Sequence, residues 1–187
     1  EHAFGSLARL ERFHGHFLNW YALPDLSVLK PAYVSTVDSG NLAGHLIALR
    51  QACLAFAEAV RLGTTPGDDA LAPRLERIAA QCERYVREMD FGFLYDRSTK
   101  LFRSGFNAST HQLDHSSYDL LASEARLASL VAIAKDEVPT EHWFHLGRTL
   151  TMAHGHAALI SWSGSMFEYL MPILVMRAFP ATLLGHT

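Results

Sequence analysis

Residues 114–144 read DHSSYDLLASEARLASLVAIAKDEVPTEHWF, and they carry the clearest structural signal in the chain. The middle of this stretch consists of leucine, alanine, valine and isoleucine with almost no polar face, which predicts a buried helix. The serines at 116–117 are suitable N-cap residues, and Pro139 cannot continue a helix. The sequence therefore predicts one helix from Asp114 to Val138 that is buried on nearly every side.

One carboxylate, Glu124, lies inside this apolar run, two residues before Arg126. A buried carboxylate is unfavourable unless it is paired or hydrogen-bonded. It is usually accommodated by a raised pKa or by a nearby cation, and both arrangements also produce catalytic acids. Glu124 is therefore a candidate catalytic residue. The alternative is that Glu124 pairs with an arginine of another helix and stabilises only the packing.

Composition limits the class of protein. With 187 residues, of which 49% are hydrophobic, the chain can form one domain with a sizeable core. The net charge of −3 and the lack of a basic run argue against nucleic acid as a partner. No apolar run reaches the roughly 18–20 residues that span a bilayer, and the first residues lack the apolar segment of a signal peptide. Cys53 and Cys82 are predicted to be free thiols in a reducing compartment.

The remaining pattern predicts helix pairs joined by hairpins and long loops. Three-and-four-residue spacing of apolar side chains predicts helices, and partial alternation around turn residues predicts hairpins. The predicted helices are Ser6–Trp20, Asn41–Leu62, Asp69–Met89, a short one after Pro139 and another within Gly164–Met176; residues 26–40 are predicted to be an extended loop, and the hairpins lie in Phe91–Thr110 and Thr149–Ser163. Such a chain is typical of a mainly α architecture in which helices form a ring and the connections carry the site. We expect residues 1–187 to be a single-domain fragment of a larger protein.

Metal, cofactor and serine-nucleophile sites are not predicted. The eleven histidines include the pairs His14 and His16, His111 and His115, and His154 and His156. Zinc requires three or four ligands at defined spacing, and none of these pairs has a clear third ligand. The segment SWSGS at 161–165 lacks the first glycine of the G-x-S-x-G motif.

Carboxylates beside aromatic residues remain as the candidate chemistry. Sugar rings stack on aromatic side chains, their hydroxyls bind charged groups, and glycoside chemistry needs paired carboxylates. A single aromatic residue is more often part of a core, but here the aromatic residues cluster in loops and at helix ends. The candidate residues are Tyr33, Asp38, Tyr118, Asp119, Glu124, Arg126, Trp143, Trp162 and Glu168.

Four segments give these residues a context: VSTVDSGNLAGHLIALRQ at 34–51, FLYDRSTKLFRSGFN at 93–107, residues 114–148, and ALISWSGSMFEYLMPILVMR at 158–177. Together they resemble the central glucoamylase-like domain of bacterial cyclic β-1,2-glucan synthases. The resemblance extends from about Trp20 to Met176. It implies an (α/α)6 toroid, similar to endo-β-1,2-glucanases, with short β-hairpins in its loops.

The resemblance also implies an activity. In these synthases the domain is thought to close linear β-1,2-glucan into a ring by transglycosylation, and the glutamate of the SEARLAS motif, Glu124 here, has a catalytic role. We expect Glu124 to be the nucleophile of a retaining reaction and the other candidates to contact sugar. The second catalytic glutamate of the family is expected in a segment that follows this chain.

The resemblance further implies partners and a location. They are β-1,2-glucan and the other domains of the same synthase, at the cytoplasmic face of the bacterial inner membrane, whereas the fragment itself is expected to be soluble. Because its apolar C-terminal run lacks a covering segment, we expect the isolated fragment to self-associate. Two alternatives stay open: an endo-β-1,2-glucanase-like hydrolase, and a non-catalytic glucan-binding module of the synthase.

Overall fold

The chain is mainly helical in a computed structural model that describes residues 2–153 and 155–187. In the described residues, three helices of ten or more residues form the framework, and four helices are shorter. They are α1 (His2–Leu7), α2 (Thr36–Arg61), α3 (Leu71–Glu88), α4 (Ala125–Ala134), α5 (Glu141–His145), α6 (Met166–Leu170) and α7 (Leu183–His186), with 3-10 turns at Gly92–Leu94 and Pro172–Leu174.

The strands are short and antiparallel. They are β1 (Arg12–Phe13), β2 (His16–Phe17), β3 (Tyr33–Ser35), β4 (Tyr95–Asp96), β5 (Leu101–Phe102), β6 (Gly105–Asn107), β7 (Gln112–Leu113), β8 (Leu150–Ala153) and β9 (His156–Leu159). Strands β3, β6 and β7 form a sheet with β6 in the centre, and Val34 lies opposite Phe106. The other strands pair as the hairpins β1–β2, β4–β5 and β8–β9.

Helix α2 is the central element, because it packs against both α3 and α4. Its N-terminus is capped by Ser35, whose hydroxyl accepts a hydrogen bond from the Asp38 backbone N–H at 3.1 Å. This cap starts α2 at Thr36, five residues before the predicted start at Asn41 and inside the predicted extended loop. Four residues further on, Gly40 touches α4 so closely that a Cβ at this position would lie 2.5 Å from the Ala128 Cβ.

Two apolar clusters stabilise the fold. The larger lies between the three long helices and the hairpins, and its fully buried members include Tyr85, Met89, Phe91 and Leu94. The smaller consists of Leu120, Leu121, Leu146 and Leu159, with Trp143 and Tyr169 packed against it. Two members of the smaller cluster, Leu120 and Leu121, lie in the segment that leads into Glu124, so the cluster supports the loop that carries this residue.

The predicted helix from Ser6 to Trp20 is wrong. Helix α1 ends at Leu7, and the chain then forms the β1–β2 hairpin, which turns at His14 and Gly15 with φ angles of 48° and 79°. The buried His16 ring hydrogen-bonds the carbonyl oxygen of Asp90 through Nε2 at 2.8 Å. A contact with residues far along the chain therefore overrides the helical spacing of the apolar side chains in this segment.

The predicted helix from Asp114 to Val138 is correct only in its second half, Ala125–Ala134. The serines do not cap it: the Ser116 carbonyl accepts a hydrogen bond from the Ser104 N–H at 2.9 Å, and Ser117 pairs with Arg103. Residues 114–124 therefore form an irregular segment held against the β4–β6 region. Its apolar side chains are buried because they join the smaller cluster, not because the segment is helical.

The other local predictions are confirmed. Helix α3, the β4–β5 hairpin, the β8–β9 hairpin and the short helices α5 and α6 lie where the patterns place them. Both cysteines are free and buried.

Large apolar side chains near the C-terminus, including Leu174 and Phe179, are exposed, and self-association of the isolated chain stays a prediction. In the described parts of the chain, no helix is long and apolar enough to cross a membrane.

Candidate functional site

A group of aromatic and acidic side chains forms where β3, the start of α2 and the loop before α4 meet. The Tyr33 hydroxyl donates a 2.5 Å hydrogen bond to Asp114 Oδ2. Burial raises the pKa of the Tyr33 phenol, and the carboxylate of Asp114 raises it further. Burial also raises the pKa of the Tyr118 phenol. The charges of Asp38, Asp114 and Glu124 add to that increase.

Glu124 lies at the N-terminal boundary of α4 and is only 6% exposed. Its Oε1 accepts a hydrogen bond from Asn41 Nδ2 at 3.1 Å, and its Oε2 accepts one from the Ser123 hydroxyl. The described partners of Glu124 are thus an amide and a hydroxyl, and not an arginine of another helix. Donors on both oxygens fix the orientation of the Glu124 carboxylate.

Glu168, on α6, is the second buried carboxylate and is 2% exposed. Its Oε1 accepts the Ser123 N–H at 2.9 Å, and its Oε2 accepts the Ser163 N–H at 3.0 Å together with the Ser161 hydroxyl. Burial alone would raise the pKa of the Glu168 carboxyl, but these donors outweigh it and the pKa is lowered. The structure therefore surrounds Glu168 with protein donors, although the sequence suggested a sugar contact.

Arg126 is buried and joins α4 to α6. Its guanidinium donates to the carbonyl oxygens of Glu168 and Tyr169, at 2.8 and 3.0 Å. Burial lowers the pKa of Arg126 to about 10. These contacts anchor the backbone around Glu168, and the described hydrogen bonds of Arg126 end on protein carbonyls.

Two other predicted sugar contacts lie near the smaller apolar cluster. Asp119 is half-buried, and its Oδ1 accepts the Leu121 N–H at 3.0 Å. Burial raises the pKa of the Asp119 carboxyl, and the charge of Glu168 adds to the effect. Trp143 packs against the cluster of Leu120, Leu121, Leu146 and Leu159, so the structure does not place it beside Tyr118. Its stacking role stays a prediction.

Trp162 is the exposed aromatic surface of the site. It is 57% exposed, and its ring stands perpendicular to that of Tyr118 at 89°, with 5.2 Å between the ring centroids. This edge-to-face contact holds the indole in place and leaves a large part of it open to solvent. An exposed aromatic face beside carboxylates suits a ligand that has both apolar faces and hydroxyl groups.

A cleft of about 330 Å³ is lined by Asn19, Trp20 and Asp38. The Asn19 amide donates to Asp38 Oδ2 at 3.3 Å. Trp20 is half exposed and lies 6.3 Å from the Tyr33 ring between centroids. The aromatic and acidic group around Tyr118 therefore continues into an open groove at the surface.

Sequence reasoning missed several members of this site. Asp114 and Asn41 were not singled out, and neither were Ser123 or Trp20. Asn41 could have been found, because it follows Asp38 by three residues on α2 and so shares a helix face with it. Ser123 gave no signal, since its role depends on a backbone conformation that the sequence does not indicate.

A metal centre finds no support in the residues that the structure describes. Within 2–153 and 155–187, no three histidine, cysteine, aspartate or glutamate side chains converge in a way that could hold a metal ion. The pair of His154 and His156 falls partly outside the described residues.

Comparisons with known proteins give the site a context. No protein-family model matches the chain. The whole chain is 31% identical, over an alignment of 297 residues, to the cyclic β-(1,2)-glucan synthase NdvB of Rhizobium meliloti. The chain spans only 10% of the length of that protein.

The fold has a relative of known structure. A glucoamylase-like protein from Bacteroides caccae matches 94% of this chain and 42% of its own length, with a TM-score of 0.59 and 15% identity. An identity this low shows the fold alone. The resemblance predicted from the four segments is thus confirmed: the chain is similar over its whole length to part of a cyclic β-1,2-glucan synthase, and its fold is glucoamylase-like.

Proposed function

We propose that this chain forms part of a domain that closes linear β-1,2-glucan into a ring by transglycosylation. The observation that carries the proposal is Glu124, a buried carboxylate that Asn41 and Ser123 hold through hydrogen bonds to both of its oxygens. The similarity to a cyclic β-(1,2)-glucan synthase supplies the substrate class. The glucoamylase-like fold supports an (α/α)6 toroid as the complete domain, to which the helices described here would contribute one part.

In this proposal Glu124 is the nucleophile. One oxygen of its carboxylate forms a bond to the anomeric carbon of a glucosyl unit, and the bond from that carbon to the glycosidic oxygen breaks. A second carboxyl group, supplied by another part of the domain, donates the proton that the leaving oxygen takes. In the second step the hydroxyl at the other end of the same glucan gives its proton to the second carboxylate and bonds to the anomeric carbon. The bond from that carbon to Glu124 breaks, which closes the ring with net retention.

The aromatic and acidic neighbours would position the sugar. Trp162 offers the exposed face on which a pyranose ring can stack, and its edge-to-face contact with Tyr118 fixes the indole. Asp38 is exposed at the start of α2 and can accept hydrogen bonds from sugar hydroxyls. The partners in this proposal are β-1,2-glucan and the other domains of the same synthase, at the cytoplasmic face of the inner membrane.

Replacing Glu124 by glutamine in a full-length synthase tests the proposal. Glutamine keeps the shape of the side chain and removes its charge, so we expect cyclic glucan to fall by about 10²–10⁴-fold or more while linear glucan is still made. The measurement is cyclic and linear product per folded molecule, together with the thermal midpoint of the same preparation. Glu58→Gln on the exposed side of α2 is the matched control.

The outcome separates the alternatives. Unchanged cyclic glucan from folded Glu124→Gln protein contradicts the catalytic assignment. A lower thermal midpoint with intact cyclisation per folded molecule indicates a purely structural glutamate. If the wild-type domain releases linear oligomers instead of rings, the domain is a hydrolase, and if it binds glucan without cleaving it, the domain is a binding module.

A further inference from the structure

We infer that Glu168 positions the Glu124 carboxylate through Ser123, and that this three-residue relay is a requirement of the reaction. The inference rests on the proposed function of Glu124. It assigns Glu168 a role different from sugar contact: Glu168 holds the backbone N–H of Ser123, and the hydroxyl of Ser123 then binds Glu124. Glu168 is thus a positioning residue and not a catalytic one.

The conformation of Ser123 is the first observation. Ser123 has a φ angle of +49°, in the left-handed region that residues other than glycine, asparagine and aspartate seldom adopt. Such a conformation persists only where the surroundings fix it. The described contact that fixes the Ser123 backbone is the 2.9 Å hydrogen bond from its N–H to Glu168 Oε1.

The second observation is that both carboxylate oxygens of Glu168 accept hydrogen bonds from protein donors. It is 2% exposed, and its other oxygen accepts hydrogen bonds from the Ser161 hydroxyl and from the Ser163 N–H. A buried carboxylate with donors on both oxygens has little capacity left to bind a substrate hydroxyl. It does present a fixed negative charge to the Ser123 N–H, and hydrogen bonds to a charged acceptor are the stronger kind.

The third observation is that the backbone around Glu168 is itself anchored. Arg126 donates to the carbonyl oxygens of Glu168 and Tyr169. The Tyr169 hydroxyl accepts the Ser161 N–H at 2.8 Å and donates to the Leu159 carbonyl at 2.9 Å. These contacts connect the start of α4, the end of β9 and α6, and they hold Glu168 in place. A movement of Ser123 would therefore break its hydrogen bond to Glu168.

Glu124 consequently receives one donor from each side of the site. Asn41 reaches it from α2, and Ser123 reaches it from the loop that Glu168 controls. With both oxygens bound, the plane of the carboxylate is set before substrate arrives. Fixing a reacting group in advance lowers the barrier to reaction, which gives the relay its function.

Three variants of the full-length synthase test the relay: Ser123→Gly, Ser123→Ala and Glu168→Gln. Glycine adopts a φ near +49° without strain, so Ser123→Gly should keep or raise the thermal midpoint while it removes the hydroxyl. We expect kcat for cyclisation to fall roughly tenfold in all three variants, as the loss of one hydrogen bond to a carboxylate predicts, with KM unchanged. Thr182→Ala, which removes the capping hydroxyl of α7, is the control that should leave kcat unchanged.

Wild-type kcat in folded Ser123→Gly would overturn the inference, because a purely structural serine is replaced by glycine at this φ without loss. Crystal structures of the wild type and of Glu168→Gln give a second decision that does not depend on activity. We expect residue 123 to leave the left-handed region in Glu168→Gln and its hydroxyl to lose Glu124. If residue 123 keeps its conformation and its contact, Glu168 does not position it. An inactive wild type would refute the proposed function, and the two structures would still decide the relay.

Discussion

The crossing of α2 and α4 and the region around Glu168 are held together by different forces. At the crossing, Gly40 and Ala128 touch directly, with no space for another side chain. Around Glu168, buried polar groups hydrogen-bond to one another and to backbone atoms. Glu124 lies between the two regions and takes one hydrogen bond from each. Close apolar contact thus sets where the carboxylate lies, and hydrogen bonds set how it is oriented.

The largest effect is expected at the crossing. Gly40→Ala would place a Cβ 2.5 Å from the Cα and Cβ of Ala128, so the two helices must move apart. We expect the free energy of unfolding, measured by urea denaturation, to fall by about 3 kcal/mol. Gly5→Ala on α1 is the matched control, because a Cβ at Gly5 meets nothing within 4 Å. If both variants unfold at the same urea concentration, the crossing is not a tight contact.

An intermediate loss of stability is expected at low pH, because of His16 in the β1–β2 hairpin. Burial lowers the pKa of His16 from 6.5 to about 4. Its Nε2 binds the Asp90 carbonyl, whereas its buried Nδ1 has no partner among the described residues, so a proton added there would be unpaired. The unfolded chain binds that proton below pH 6.5 and the folded chain does not, so the stability present at pH 7 is lost as the pH falls toward 4.

We expect this histidine to reduce the free energy of unfolding by about 2 kcal/mol between pH 7 and pH 5. The measurement is urea denaturation of the wild type and of His16→Gln at both pH values. Glutamine can donate to the same carbonyl and does not titrate, so the variant should show a smaller loss. Equal losses in the two proteins would show that the acid sensitivity arises elsewhere, for example at His142, whose pKa burial also lowers.

The smallest effect is expected from ligand at the exposed end of the site. The chain has three tryptophans, of which Trp162 is exposed beside Tyr118 and Trp143 packs against the smaller apolar cluster. We expect linear β-1,2-glucan to change the tryptophan fluorescence of the wild type and of Trp143→Phe, with a weaker response in Trp162→Phe. An equal response to β-1,4-linked oligomers would remove the proposed specificity.

The sequence predicted those parts of the fold that local spacing determines. Helix α3 and the β4–β5 hairpin have the predicted positions because their own residues supply the periodicity and the turn. The first hairpin was missed because its decisive contact joins His16 to Asp90, 74 positions later. Residues 114–124 were predicted to be helical because they are rich in leucine and alanine. A buried helix and an irregular segment that packs on an apolar cluster can have this same composition.

In the candidate site, too, features set by the local sequence were predictable and features set by distant contacts were not. Glu124 was identifiable because a carboxylate in an apolar run is conspicuous in sequence. Its partner Asn41 lies 83 positions away, and no local pattern connects the two. The role of Glu168 depends on the φ angle of Ser123, and serine has no sequence signature for that conformation. The identities of the acids were therefore predictable, and the network between them was not.

The contact at Gly40 also separates α2 into a first part that tolerates little substitution and a later part whose exposed side tolerates more. In the first part of the helix, Thr36, Val37, Ser39 and Gly40 are buried, and Asn41 is committed to Glu124. Further along, one side of the same helix faces solvent at His45, Ala48 and Ala52. A combinatorial library directed at substrate range would therefore lose most of its members if it varied these buried positions or Asn41. Immobilisation tags and solubility-enhancing charges can be introduced on the exposed side of the same helix.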